Sequence, residues 1–187
     1  MATTKKGAET ESAPRGTIPR PATRSRTQPE AVIFTGLQGA GKSTFYRERF
    51  FATHLRLNLD MLHTRRREAL LLDACLAGRT SFVADNTNPT IEERARYIAP
   101  ARAAGFRVIG YYFDIPIAVC LKRNTARPAT ERVPPIGLYG TRKRLHPPIP
   151  DEGFDALYRV SIGDDGALIV EEWPLEIVPE KSAPPSP

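Results

Sequence analysis

Short apolar runs of strand length alternate along the chain with longer stretches in which apolar residues recur at helical spacing. The predicted strands cover 31–35, 55–59, 80–84, 106–113 and 158–162, and the predicted helices cover 43–51, 61–77, 91–104 and 116–124. This alternation is typical of a parallel sheet with helices on both faces. We therefore predict an α/β fold with a five-stranded parallel sheet in the order 2-3-1-4-5. The segment 167–173 is predicted to add a terminal hairpin strand.

Local signals set the ends of several helices. Thr90 and Glu93 have the spacing of a capping box and predict a helix start. Gly78 and Gly105 predict the ends of two helices. Pro100 falls inside one of them and predicts a kink or a tight last turn.

The first predicted strand runs directly into the sequence Gly-Leu-Gln-Gly-Ala-Gly-Lys-Ser-Thr at positions 36–44. A glycine loop between a strand and a helix directs backbone N–H groups at phosphate oxygens, and the helix N-terminus adds positive potential. The sequence therefore predicts a P-loop NTPase fold that binds ATP or GTP, whereas the alternative is an ordinary glycine-rich turn. Lys42 is expected to reach the β- and γ-phosphates, and Ser43 to ligate Mg²⁺. The predicted nucleotide-binding residues of this loop are Gly36, Gln38, Gly39, Ala40, Gly41, Lys42, Ser43 and Thr44.

Two aspartates follow predicted strands, where ligands bind in such sheets. Asp60 ends the second strand and Asp85 the third. Carboxylates at these places can act as a general base or orient a metal site. Local structure is the alternative, because Asp60 can cap the helix that follows it and Asp85 can form an Asx-turn.

A basic segment follows the helix predicted at 116–124. Four cations surround a loop broken by three prolines: Lys122, Arg123, Arg127 and Arg132 around Pro128, Pro134 and Pro135. A loop of this kind can close over phosphates as a lid and stabilise the charge of the transferred group. A solvated basic loop is the alternative.

Composition narrows the class of protein. Residues 31–162 carry 20 Lys and Arg against 12 acidic residues, which suits a polyanionic substrate. No apolar run is long enough to span a membrane, and the two cysteines, Cys75 and Cys120, lack metal-site spacing. We expect a cytoplasmic protein with no membrane partner and reduced cysteines. Residues 1–29 are predicted to form a disordered basic tail, 30–178 one domain, and 179–187 a second disordered tail.

Six short motifs, in order, resemble the 5′-hydroxyl polynucleotide kinase domain, which also occurs as small stand-alone bacterial kinases and has distant zeta-toxin-like relatives. They are Asp-Asn-Thr-Asn-Pro at 85–89, Glu-Arg at 93–94, Gly-Phe-Arg-Val at 105–108, Phe-Asp-Ile-Pro at 113–116, the Lys-Arg-Asn and Arg of 122–127, and Arg-Val-Pro at 132–134. The resemblance covers about residues 31–160. It implies transfer of the γ-phosphoryl group of ATP, with Mg²⁺, to the 5′-hydroxyl of DNA or RNA.

The resemblance also implies roles for single residues. Asp60 matches the aspartate that activates the acceptor hydroxyl, and Asp85 with Asn88 matches a motif that supports the acceptor site. Arg123 and Arg127 match the lid, where Arg127 contacts donor phosphate. Lys42, Asp60 and Arg127 are therefore the predicted catalytic residues.

One position departs from this pattern. The family has an arginine three residues after the base, where it grips the acceptor's 3′-phosphate, and this chain has His63 followed by arginines at 65–67. A histidine can still bond a phosphate, so His63 is a predicted substrate-binding residue, but it is only partly charged near neutral pH. Two other functions therefore stay open: a kinase of a small hydroxylated metabolite or nucleotide sugar, and a non-catalytic nucleotide-binding regulatory module.

Overall fold

The computed structural model describes residues 28–173, which form one six-stranded sheet with helices on both faces. The strands are β1 (Glu30–Gly36), β2 (Leu55–Leu57), β3 (Phe82–Ala84), β4 (Arg107–Phe113), β5 (Ala156–Ile162) and β6 (Leu168–Trp173). The helices are α1 (Lys42–Arg49), α2 (Leu59–Leu62), α3 (Arg65–Ala77), α4 (Ile91–Ala103), α5 (Ile117–Thr125) and α6 (Pro135–Arg144). Two 3₁₀ turns lie at Ala129–Glu131 and Pro150–Glu152.

The sheet has the order β2-β3-β1-β4-β5-β6, in which the first five strands are parallel and β6 pairs antiparallel with β5. The predicted order of the five parallel strands is confirmed, but the predicted strand number is wrong. The segment predicted as a hairpin strand joins the same sheet. The turn between β5 and β6 includes Gly166 at φ 82°, a left-handed conformation that lets the chain reverse tightly.

Side-chain alternation along β1 shows why both sheet faces are covered. Val32 and Phe34 pack in a cluster with α1 and α5, while Ala31 and Ile33 pack in a second cluster with α3 and α4. All four are fully buried, as expected for a central parallel strand. The sheet interior therefore fixes the position of the loop that follows β1.

The helix predicted at 61–77 is two helices in the structure. His63 ends α2 in the left-handed region at φ 64°, and the Thr64 side chain then caps α3 by accepting from Arg67 N–H. Helical periodicity alone could not show this break. Helix α6 was not predicted. It begins at Pro135, which was interpreted as breaking a loop but occupies the first helical turn, where its missing N–H is harmless.

Other local predictions agree with the structure. The Thr90 hydroxyl accepts from Glu93 N–H at the start of α4, and Pro100 lies inside that helix near its end. Cys75 and Cys120 are free and buried. Within residues 28–173 no helix combines the length and apolarity that crossing a bilayer requires. The predicted tails, 1–29 and 179–187, lie outside the described residues except for Gln28 and Pro29, which contact Gly105 and Arg107.

A buried ion pair ties α4 to the segment before β5. The Arg94 guanidinium is fully buried and donates from Nε and Nη2 to the two carboxylate oxygens of Glu152, both at 2.6 Å. Its Nη1 donates to the carbonyls of Asn88 and His146. Four acceptor oxygens on three residues therefore depend on one side chain.

We expect Arg94→Met to lower the free energy of unfolding by about 3–5 kcal/mol, because it leaves the buried Glu152 carboxylate unpaired. Arg96, exposed on the same helix, gives the matched control, and Arg96→Met should change that free energy by under ~0.5 kcal/mol. Urea unfolding of the three proteins measures both values. Equal stability of the two variants would contradict this role for Arg94.

Candidate active site

The loop between β1 and α1 is held against the core by glycines that no other residue could replace. A Cβ on Gly36 would lie 2.8 Å from the Phe113 Cβ atom. A Cβ on Gly39, whose φ is 80°, would lie 2.6 Å from the Cys120 carbonyl oxygen. The loop therefore packs its backbone directly on β4 and α5, as a phosphate-binding loop does.

The N-terminus of α1 leaves donors available for an anion. Within residues 28–173, the N–H groups of Gly41, Lys42 and Ser43 have no protein acceptor. The first carbonyl of the helix that accepts hydrogen bonds is that of Gly41, which accepts from the N–H groups of Thr44 and Phe45. Free N–H groups at the positive end of a helix suit a phosphate.

Lys42 starts this helix and folds back over the loop. Its Nζ atom donates to the carbonyls of Gly36 at 2.9 Å and Leu37 at 2.7 Å, and the residue is only 8% exposed. Burial lowers the pKa of Lys42 to about 8, although the Asp85 carboxylate partly opposes this shift. The ammonium is therefore charged near neutral pH but held by weak partners, so that phosphate oxygens can replace them.

We expect nucleotide affinity to fall as the pH rises through about 8, because Lys42 then loses its proton in the free protein and binding must restore it. Above that pH the affinity should fall up to about tenfold per pH unit. Lys42→Arg keeps its charge over this range and should flatten the profile. Titrations with a fluorescent ATP analogue from pH 7 to 9.5 measure this, and an unchanged wild-type affinity would contradict it.

Ser43 and Asp85 meet at the mouth of the loop. The Ser43 hydroxyl lies 3.3 Å from Asp85 Oδ2, and Asp85 is 2% exposed. Arg56 on β2 completes the group, since its Nη2 donates to Ser43 Oγ at 2.8 Å and its Nε donates to Asp85 Oδ2 at 2.8 Å. Asp85 therefore faces the phosphate-binding loop, and no Asx-turn is needed to explain its position.

Asp60 lies on α2, exposed at the cleft that contains the loop. It does not cap that helix, because Asn58 does: the Asn58 Oδ1 accepts from Met61 N–H at 3.2 Å. Within residues 28–173 the Asp60 carboxylate has no hydrogen-bond or ion-pair partner, yet its charge is close enough to raise the pKa of Lys42 slightly. It is thus a free carboxylate beside the phosphate-binding loop.

Two asparagines hold the start of α2 in place. Asn58 Nδ2 donates to the Asp85 carbonyl at 2.6 Å, and Asn86 Oδ1 accepts from Leu59 N–H at 2.9 Å. These bonds attach the two residues before Asp60 to the segment that follows β3. The position of Asp60 relative to Asp85 is therefore set by the sheet.

Asn86 belongs to a buried polar network. Its Nδ2 and the Tyr97 hydroxyl both donate to Glu68 Oε1, at 2.6 and 2.7 Å, and Arg65 Nη1 donates to Glu68 Oε2 at 2.7 Å. Burial and the bond to Glu68 raise the pKa of the Tyr97 hydroxyl, which therefore stays protonated. The network holds one edge of the Arg65 guanidinium. The Arg65 side chain is half-exposed and lines the cleft.

The end of α5 and the basic segment after it cover the other side of the loop. Arg123 Nη1 donates to the Ala40 carbonyl at 3.5 Å, and the charge of Arg127 lowers the pKa of Lys42. Asn124 closes the base of the segment, because its amide exchanges hydrogen bonds with both backbone groups of Val133. Arg127 thus lies on a loop that is fixed at both ends, and Arg123 lies in the last turn of α5.

These elements enclose one open cleft with a volume of about 1560 Å³. Eight cationic and four acidic side chains line it, so it attracts anions. The cations are Lys42, Arg47, Arg49, Arg56, Arg65, Arg123, Arg127 and Arg132.

The structure brings most predicted site residues to this cleft. Those lining it are Gln38, Gly39, Ala40, Gly41, Lys42, Ser43, Thr44, Asp60, His63, Asp85, Arg123 and Arg127. Gly36 lies behind it and offers its carbonyl to Lys42. The prediction for Asn88 needs correction: this residue is buried, and its amide donates to the carbonyls of Phe34 and Ala84. Asn88 therefore joins β1 to β3 and does not face a substrate.

Sequence reasoning missed Arg56 and Asn86. Arg56 is a charged residue between two leucines in a predicted strand, and this interruption is the one signal that marked it. Asn86 follows Asp85 directly, but its bond to Leu59 joins residues 27 positions apart. Neither contact could be read from spacing along the chain.

Comparison with known proteins agrees with this geometry. Residues 63–147 match a protein family described as an AAA domain. The chain superposes on Kti12 of Chaetomium thermophilum with a TM-score of 0.55 and 16% identity, covering 72% of this chain and 90% of that one. It superposes on the PezAT toxin–antitoxin system of Streptococcus pneumoniae with a TM-score of 0.51 and 12% identity, covering 80% and 74%. These likenesses show that the chain has a P-loop NTPase fold.

A more specific similarity is to a bifunctional polynucleotide phosphatase/kinase of Schizosaccharomyces pombe. The two sequences are 28% identical over 148 residues, which is 79% of this chain and 34% of the yeast protein. The chain thus spans about a third of the length of this relative. The resemblance to the polynucleotide kinase domain, inferred from six motifs, is confirmed.

Proposed function

We propose that this protein is an ATP-dependent kinase that transfers the γ-phosphoryl group to the 5′-hydroxyl of a polynucleotide. The observation that carries the proposal is the free Asp60 carboxylate, fixed beside a phosphate-binding loop in a cationic cleft. A regulatory nucleotide sensor needs no such carboxylate. The similarity to a polynucleotide phosphatase/kinase supports the choice of acceptor.

The donor nucleotide binds through the loop. The free N–H groups of 41–43 and the Lys42 ammonium receive the β- and γ-phosphates, and Arg123 and Arg127 approach them from the lid. The Kti12 structure contains ADP–AlF₃ on the same fold, which supports nucleotide binding here.

Ser43 and Asp85 fit a divalent cation. A hydroxyl and a carboxylate 3.3 Å apart are hard oxygen donors, and Mg²⁺ in such sites takes few protein ligands besides substrate phosphates. Bound there, Mg²⁺ would neutralise charge on the β- and γ-phosphates. The resemblance implied that Asp85 supports the acceptor site. We propose instead that Asp85 is a ligand of the metal.

Asp60 acts as the general base. It takes the proton of the acceptor hydroxyl, whose oxygen bonds to the γ-phosphorus while the bond from that phosphorus to the β–γ bridging oxygen breaks and ADP leaves. Lys42, Arg123 and Arg127 stabilise the charge that spreads over the transferred group. The fixed backbone around Asp60 means that little reorganisation is needed.

Arg65 replaces the family's phosphate-gripping arginine in this proposal. His63 and Arg65 both line the cleft, and one side of the Arg65 guanidinium is fixed by Glu68 and Tyr97. A fixed guanidinium presents its remaining donors to a phosphate at little entropic cost. The acceptor's phosphate next to the 5′-nucleoside is its natural partner.

We expect Arg65→Gln to raise the KM for a 5′-hydroxyl oligonucleotide about tenfold and to lower the slope of log KM against log salt by about 0.7, as for one lost single-strand phosphate contact. Arg66 is exposed and lies outside the cleft lining, so Arg66→Gln should change neither value appreciably. Steady-state kinetics at 50–300 mM KCl measure both. Equal effects of the two variants would contradict the role of Arg65, and transfer to sugars or nucleosides alone would replace the polynucleotide acceptor with a small metabolite.

A further inference from the structure

Arg56 lies in the middle of the three-residue edge strand β2, but its side chain does not extend into solvent. It reaches across the end of β3 to the phosphate-binding loop. There Nη2 donates to Ser43 Oγ at 2.8 Å, and both Nε and Nη2 donate to Asp85 Oδ2. One guanidinium therefore contacts both oxygens that the proposed function assigns to the metal.

The guanidinium is held in this place from several sides. It lies over the Tyr46 ring with its central carbon 5.2 Å from the ring centroid, and its Nη1 is 3.6 Å from the Met61 sulfur. The Arg56 side chain is 22% exposed and that of Asp85 is 2% exposed. A carboxylate as buried as that of Asp85 needs a counter-charge, and Arg56 supplies it.

We propose that Arg56 is a built-in counter-cation of the metal site, which a divalent cation must displace from Ser43 and Asp85 when the metal–nucleotide complex binds. A metal that coordinates Ser43 Oγ and Asp85 Oδ2 occupies the side of these oxygens that the guanidinium now covers, and the two positive charges repel each other. The inference rests on the proposed assignment of Ser43 and Asp85 to the metal.

This exchange has a consequence for the order of binding. Without nucleotide, a divalent cation competes with Arg56 for the site and gains no phosphate ligands. With nucleotide, the phosphates add ligands to the metal and offer new anionic partners to the displaced guanidinium. Arg56 therefore keeps the free protein from binding Mg²⁺ and makes metal entry depend on the nucleotide.

The test compares Arg56→Met with Arg49→Met. Arg49 is a matched control, because it also lines the cleft and lies over an aromatic ring of α1, that of Phe45 at 5.2 Å, but it is not bonded to Ser43 or Asp85. The first readout is thermal unfolding of nucleotide-free protein with Mg²⁺ alone. The second is the Mg²⁺ concentration that gives half-maximal binding of a fluorescent non-hydrolysable ATP analogue.

We expect Mg²⁺ alone to raise the Tm of Arg56→Met and to leave the Tm of wild type and of Arg49→Met unchanged. The Mg²⁺ concentration for half-maximal nucleotide binding should fall about tenfold in Arg56→Met only, since an ion pair worth ~1.4 kcal/mol no longer competes. Arg56→Lys keeps the charge but loses the two-pronged guanidinium that bonds both oxygens. Its Mg²⁺ concentration for half-maximal nucleotide binding should lie between those of wild type and Arg56→Met.

Several results would overturn the inference. An unchanged or higher Mg²⁺ requirement in Arg56→Met would show that Arg56 serves to hold Asp85 in position. Equal falls in Arg56→Met and Arg49→Met would show a general effect of cleft charge. If Arg56→Met does not fold, Arg56→Lys gives the test. A Mg²⁺ concentration for half-maximal nucleotide binding that is equal to or above that of wild type would then also reject the exchange. Failure of wild type to bind nucleotide at saturating Mg²⁺ would instead reject the proposed function.

Discussion

Lys42→Ala should reduce phosphoryl transfer by roughly a thousandfold, the largest effect that we expect of any single substitution. The ammonium is the one cation within the loop itself, and loss of such a preorganised donor to developing phosphate charge typically costs 10²–10³ in rate or more. The fold should be kept. Burial lowers the pKa of Lys42, which means that burying its charge opposes folding, so its removal should not destabilise the protein strongly.

Transfer kinetics and thermal unfolding of Lys42→Ala check both parts of this prediction. Lys122→Ala is the matched control, since Lys122 is exposed on α5 and lies outside the cleft lining. The control should retain wild-type activity. A folded Lys42→Ala protein with full activity would remove the loop at 36–44 from the catalytic site.

Asp60→Asn should reduce transfer by roughly 10²–10⁴ while nucleotide affinity changes less than about twofold, because general-base assistance contributes this much to rate and little to binding of the donor. The amide has nearly the shape of the carboxylate, and the bonds from Asn58 and Asn86 hold the backbone around it unchanged. The variant therefore removes the base without moving its support.

Single-turnover transfer and nucleotide titration of Asp60→Asn separate chemistry from binding. Asp73→Asn supplies the control, because Asp73 is exposed on α3 and outside the cleft. A fall in nucleotide affinity with unchanged transfer would assign Asp60 to the donor side, and another group would then be the base.

Those parts of the fold that depend on residues close in sequence could be predicted. A fully apolar strand followed by the glycine loop locates β1, α1 and Lys42, since each needs only its neighbours to be recognised. The predicted order of the five parallel strands is also the order in the structure. The last strand, β6, was predicted as a hairpin strand, and it pairs antiparallel with β5 after a tight turn at Gly166. That it makes a sixth strand of the same sheet was not predicted.

The rest of the site depends on contacts between distant segments. The break at His63 comes from a left-handed residue inside an otherwise helical pattern. It separates α2, which carries Asp60, from α3, which carries Arg65. Asn88 lies in the motif with Asp85, but burial between β1 and β3 gives it a role in the sheet. Arg56 acquires its partners only because β2 and β3 are paired, which places Ser43 and Asp85 within its reach.

In the function that we propose, the cleft transfers a phosphoryl group from ATP to a polynucleotide 5′-hydroxyl. Incubation of wild-type protein with γ-³²P-labelled ATP, Mg²⁺ and a panel of 5′-hydroxyl oligonucleotides, nucleosides and sugars tests it most directly, with Asp60→Asn in parallel. We predict label at the 5′ end of oligonucleotides, removable by a phosphatase and absent with Asp60→Asn. Label in sugars or nucleosides alone, or in no acceptor although ATP binds, would contradict the account.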